Sequence, residues 1–265
     1  MVAGLVFVLM GCAKAITKAG AAFTNQCLIP SDQSGTIEGQ WGFTPIPVAF
    51  SLSNDAYIFS GGELSAITTA ADTWNAFFGR SKGFPIINYM KGSSLNELSS
   101  SLPAAQPYSC GVSIVNSVGF APSAQANGQD SVMIRKITGS WNRTVGTAGN
   151  AGSSDVIALT ALCTPTGSNY FNYAWIELNY VDYFNSNPGI QQPDLQSILT
   201  HEFGHLLGLN HSCSSSGQGG FPTCGTNSKY DTAIMYPSVQ FPDNIHGEVR
   251  RTLTINDQSR ANCLY

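Results

Sequence analysis

Three of the chain's four histidines fall between positions 201 and 211, and their order constrains the fold more than any other feature. The stretch reads His201-Glu202-Phe203-Gly204-His205-Leu206-Leu207-Gly208-Leu209-Asn210-His211 and follows Pro193-Asp194-Leu195-Gln196-Ser197-Ile198-Leu199-Thr200. A helix here sets His201 and His205 on one face, so their imidazoles converge. Leu195, Ile198, Leu199 and Leu206 form an apolar stripe that anchors that helix in a core. Gly208 is free to take a positive φ, which ends the helix, turns the chain and brings His211 back toward the same point. Three neutral imidazoles placed this way can hold zinc and leave a fourth position open, as catalytic sites do. Glu202 lies about 100° round the helix from His201, where it can reach a water at the metal without ligating the ion.

The charge balance sets other partners aside. With 12 Lys+Arg against 16 Asp+Glu and no basic run, the chain lacks the footprint of a nucleic-acid binder. A hydrophobic share of 43% argues against disorder and for a real core. The first residues are an address. Val2 to Met10 is apolar, uncharged and too short to span a bilayer, and it ends in Leu9-Met10-Gly11-Cys12. That ending resembles a bacterial lipobox. The resemblance implies cleavage of residues 1–11, a lipid on Cys12 and anchoring of an exported protein to the cell envelope or surface. No Lys or Arg precedes the apolar run, a departure from that pattern. Setting Cys12 aside leaves Cys27, Cys110, Cys163, Cys213, Cys224 and Cys263, an even set suited to disulfides in an oxidising compartment. Cys213 and Cys224 bracket a Ser/Gly-rich loop and are the simplest pair to propose. The other pairings stay open.

Residues 12–40 are small and polar and read as a flexible tether, with an ordered domain over 41–265. Strand candidates are 45–52, 84–90, 111–120, 131–138, 155–163 and 173–180, rich in β-branched and aromatic residues. After Gly61-Gly62, the positions Leu64, Ile67, Ala71, Trp74 and Phe78 give an amphipathic helix with a core face. Glu63, Thr68, Asp72 and Asn75 fall largely on its other face. Residues 142–154 read as a surface loop. The expected class is α+β, a mixed sheet with two long helices and a C-terminal helix.

Downstream lies Ala233-Ile234-Met235-Tyr236-Pro237. Together with the histidine motif, and with Ser212 directly after His211, this run resembles the metzincin metallopeptidases, and among them the matrixins. The resemblance implies a twisted mixed sheet, one catalytic Zn²⁺ on His201, His205 and His211, and Met235 as a hydrophobic floor beneath them. It also implies hydrolysis of peptide bonds, with Glu202 activating the attacking water. Leu253-Thr254-Ile255-Asn256-Asp257 opens a last helix with capping-box spacing. Asp257 matches the family acid that supports the Met-turn, while Asn256 replaces the acid before it. No Pro-Arg-Cys-Gly switch is present, which leaves Cys27 as either a thiolate reaching the zinc or a disulfide partner. Only His246 remains for a second zinc, which makes that site doubtful. Asp130 and Asp155 offer oxygens for Ca²⁺, but without EF-hand spacing.

The segment after the Met-turn would wall the pocket for the residue following the scissile bond. No charged residue occurs over 235–242, which predicts a neutral or apolar preference there. Two other readings fit the same motif: a non-catalytic zinc-binding adhesion protein, and a metallohydrolase of cell-wall peptide crosslinks. The intact Glu202 disfavours the first.

Overall fold

A computed structural model describes residues 22–50, 59–89, 132–138, 141, 156–164, 167–168, 170–171, 173–185 and 187–265. Cys12, Cys110, Asp130, Asp155, the strand candidate 111–120 and the loop 142–154 lie outside these residues.

The amphipathic period of the first helix produces α1, Gly61–Ser81. It begins at Gly61 itself, because Ser60 and Glu63 form a reciprocal capping box around the first turn. Its face of Ile67, Ala70, Ala71, Trp74, Phe77 and Phe78 is fully buried. At roughly 1.5–3 kcal/mol for each large side chain, this face outweighs the helix's modest intrinsic propensity. The second long helix, α2, spans Leu195–Leu207 and buries Leu199, Phe203, Leu206 and Leu207. Asp194 caps it by accepting the Ser197 N–H at 2.9 Å. The two helices are joined through Trp74, whose Nε1 donates to the Thr200 carbonyl at 2.9 Å.

The described strands are β1 (Gln40–Trp41), β2 (Ile46–Phe50), β3 (Ile87–Tyr89), β4 (Val132–Ile137), β5 (Ala158–Cys163), β6 (Tyr170–Phe171) and β7 (Tyr173–Asn179). Five form a mixed sheet in the order β3-β2-β4-β7-β5, and β1 pairs with β6. All neighbours in the large sheet are parallel except β5, which runs antiparallel to β7 along one edge. Two short helices follow, α3 (Ser228–Asp231) and α4 (Ile255–Ala261). The class is therefore α+β, as the sequence predicts.

Two polar residues on α1 do more than face solvent. Asn75 Oδ1 accepts the Ile86 and Ile87 N–H groups at 2.9 and 2.8 Å and so pins β3. Glu63 accepts from Lys136 Nζ at 2.7 Å and from the Tyr180 hydroxyl at 2.5 Å, fastening the helix to β4 and to the end of β7.

The tether over 12–40 requires correction, because residues 22–40 are built into the domain. Cys27 and Cys263 are joined by a disulfide, so Cys27 offers no thiolate to a metal. Cys213 and Cys224 are also bonded, as expected, and Cys163 is disulfide-bonded too. Gln33 is completely buried: its Nε2 donates to the Ser212 carbonyl, and its Oε1 accepts from Asn256 Nδ2, each at 2.7 Å. Gln258 and Asn262 bond the backbone of residues 22–26 in the same manner. Polar composition was a poor guide here, because these amides and carbonyls satisfy one another inside the fold. No helix among the described residues is long and apolar enough to cross a membrane.

Candidate metal centre

Helix α2 carries His201, Glu202 and His205, and its termination supplies His211. Gly208 takes φ 105°, closing the helix in the left-handed region. A Cβ at this position would lie 1.9 Å from the Gly39 carbonyl oxygen, so glycine is required by space as well as by backbone. The chain after the turn pairs with the N-terminal segment: Ile37 bridges Leu209, and the Asn210 N–H donates to the Thr36 carbonyl at 2.8 Å. His211 is thereby returned to its partners, and one ring nitrogen from each histidine lies within 4.8 Å of the others.

The hydrogen bonds of the rings decide what the cluster can hold. His201 Nδ1 faces the Ile234 carbonyl at 2.7 Å and His205 Nδ1 faces the Leu209 carbonyl at 2.8 Å. A carbonyl only accepts, so both Nδ1 atoms carry hydrogen and both Nε2 atoms of the neutral rings present lone pairs. Those two Nε2 atoms stand 3.1 Å apart. Facing lone pairs at this distance call for a cation, and zinc–nitrogen bonds of about 2.0–2.1 Å in a tetrahedron imply a similar nitrogen spacing. Burial pushes His201 down to about 4, His211 to about 3 and His205 well below the usual imidazole range. The rings are therefore neutral at pH 7, the form that binds metal.

Glu202 is buried beside them, and one carboxylate oxygen accepts from the Thr160 hydroxyl at 2.6 Å. Burial raises its carboxyl to about 7, against the opposing pull of Thr160. A carboxyl so placed can hold or release a proton near neutral pH. Thr160 lies on β5 and gives no sign of this role in the sequence, since a threonine in a strand is ordinary.

Met235 is wholly buried, and its sulfur fits against α2 at Gly204, where a Cβ would come within 2.2 Å. The glycine inside the histidine motif thus makes room for the Met-turn. Asp257 holds this turn from below: its two oxygens accept the Ile234 N–H at 2.9 Å and the Met235 N–H at 3.2 Å. It also accepts the Thr254 N–H and hydroxyl, completing the predicted cap of α4. Because the Ile234 carbonyl orients His201, the last helix is connected to that histidine through one residue. Arg260, also buried, donates from Nη1 to the Asn210 and Thr36 carbonyls at 3.0 and 3.4 Å, beside His211.

The histidines open into a cleft of about 760 Å³ between β5 and the segment 236–241. Its wall is not free of charge, as the window 235–242 alone suggested, because Glu248 and Arg250 fold back into it. His246 stands away from the centre, paired with Asp243 at 2.7 Å. Among the described residues no second group of metal-ligating side chains occurs.

Comparison with known proteins agrees with this geometry. The model of metallo-peptidase family M12 matches residues 109–246, just over half of the chain, including all three histidines, Glu202 and Met235. A comparison with curated proteins finds no match. A zinc-type triad of neutral imidazoles, a buried carboxylate beside it and this match converge, and the chain belongs to metallo-peptidase family M12, the zinc-dependent metalloproteases.

Proposed function

We propose that the protein is an exported, lipid-anchored endopeptidase of metzincin type, matrixin-like in its Met-turn support, with Cys12 as the attachment point. His201, His205 and His211 would hold the zinc, whose chemistry there is Lewis acidity toward water and a peptide carbonyl. The observation that carries the reading is the pair of Nε2 lone pairs facing at 3.1 Å with Glu202 beside them.

Glu202 takes a proton from the attacking water and delivers it to the departing amine, a task suited to a carboxyl poised near neutrality. Thr160 fixes the orientation of that carboxylate from β5. Residues 158–160 and 162 of β5 line the cleft at the sheet's edge, where an extended substrate can add as a further strand. Asp257, acting through Ile234, is a positioning residue for His201. The matrixin likeness is supported by Ser212 after His211 and by Asp257 beneath the Met-turn; the anchor is supported by Leu9-Met10-Gly11-Cys12. Calcium has no support among the described residues.

The test compares the full chain with its Glu202→Ala variant. Both are expected to bind zinc at about one ion per chain, while cleavage of protein substrates falls by about 10²–10⁴-fold in the variant. Equal cleavage would remove Glu202 from the mechanism. Zinc binding without cleavage by the wild type would favour a non-catalytic surface protein.

A further inference from the structure

The metal centre explains the middle of the cleft and leaves its two ends without a role. Arg250 marks one end, near the start of α2, with its backbone N–H on the Ser197 hydroxyl at 2.8 Å. Its guanidinium is already satisfied: it pairs with Glu248, donates to the Ser238 carbonyl at 3.0 Å and stacks on the Tyr236 ring at 4.8 Å. Glu38 marks the other end, where its backbone N–H donates to the Gly208 carbonyl at 2.8 Å. Ser197 and Gly208 are separated by about 16 Å along α2 at 1.5 Å per residue. The two charged groups therefore flank the histidines from opposite sides. An extended chain crosses such a span with about five residues.

Glu38 differs from the other acids of the cleft. Glu248 is neutralised by Arg250, and Glu202 is engaged by Thr160 and by proton transfer. Glu38 lines the cleft with Asn210 and His211. Its direction follows from its neighbour: Ile37 bridges Leu209 and packs against the core, and in extended backbone the next side chain points the other way. Among the described residues no salt bridge or hydrogen bond engages its carboxylate. The side chain is exposed at the rim, so its carboxylate is open to a group entering the cleft. A carboxylate on a cleft wall with no cation beside it gains from a ligand that brings one.

We propose that Glu38 is a subsite for a lysine or arginine side chain of the substrate, about two or three residues from the scissile bond and on the side away from the 236–241 wall. The proposal rests on the peptidase reading above and names the substrate class it prefers. A basic side chain reaching Glu38 makes an ion pair at the rim, while the Arg250–Glu248 end, already neutral as a pair, makes no such demand.

The test uses the full chain with zinc and one cleaved peptide in which Ala, Lys and Glu are placed in turn at each position around the scissile bond. At the position read by Glu38, kcat/KM for the Lys peptide is expected to exceed that for the Ala peptide about three- to tenfold. The preference should shrink as salt is raised. Glu38→Gln should bring the ratio to about one, the value for a site with no charge to pair. Glu38→Lys should invert the preference in favour of Glu. Each ratio is taken within one enzyme, so differences in folded fraction cancel. No basic preference at any position, or a preference that Glu38→Lys leaves in place, overturns the subsite while the peptidase reading stands. Absence of any cleavage by the wild type overturns both.

Discussion

Every titrating residue at the metal centre is held away from its charged form, and the consequences for pH run in two directions. An unfolded imidazole titrates near about 6.5, whereas burial lowers His201 to about 4 and His211 to about 3. As pH falls, the unfolded metal-free chain takes up these protons first. The histidine contribution is therefore intact above the unfolded pKa and lost as pH drops toward the folded values. Glu202 behaves oppositely, because its carboxyl is raised from 4.5 to about 7. Its contribution is present below the unfolded value and lost as pH rises through the folded one. Thermal denaturation of the metal-free chain should show Tm falling as pH drops from about 6.5 to about 4. Glu202→Gln should raise Tm at pH values above about 7 and change it little below the unfolded value. A flat profile would mean that the rings are solvated in the folded protein. The convergence of the three histidines was legible from spacing, since i and i+4 on a helix and a glycine turn leave few alternatives. Thr160 and Glu38 were not, because their roles depend on strands and segments brought in from far along the chain.

The elements show the same division. Helices α1 and α2 announce themselves by apolar periodicity, and α4 by its capping spacing. The antiparallel direction of β5 has no local signature, yet it brings Thr160 to Glu202. Polarity likewise misleads over residues 22–40, where Gln33 and the chain around Cys27 pack against the loop after His211 and against α4. Two outcomes follow at this scale. Asp257→Ala should destabilise the protein by about 3–5 kcal/mol, because it strands buried N–H groups of the Met-turn and leaves Arg260 without its nearby carboxylate. Chemical denaturation measures that loss, and a change within about 0.5 kcal/mol would show that the turn stands without α4. Cys27→Ser should cost roughly 2–5 kcal/mol by releasing the N-terminal segment from α4. The same denaturation experiment reads it, and an unchanged midpoint would mean that the hydrogen bonds of 22–40 suffice alone.

For the whole molecule, attachment is the first matter to test. Cys12→Ser should move the protein from the membrane fraction to the soluble one, as a lipid-anchored chain requires. Continued sedimentation with membranes would place the attachment elsewhere. The catalytic unit is defined by packing, and residues 22–40 are part of it. That unit closes on itself, since Cys27 and Cys263 are 236 positions apart and yet bonded. This closure has a consequence in time. A chain made or passed through a pore from its N-terminus presents residues 22–40 well before α4, and Asp257 can brace the Met-turn only once α4 is out. Chains arrested before Asp257 should accordingly retain no zinc on purification. The metal centre would then be braced only after α4 has been made, a delay written into the order of the polypeptide.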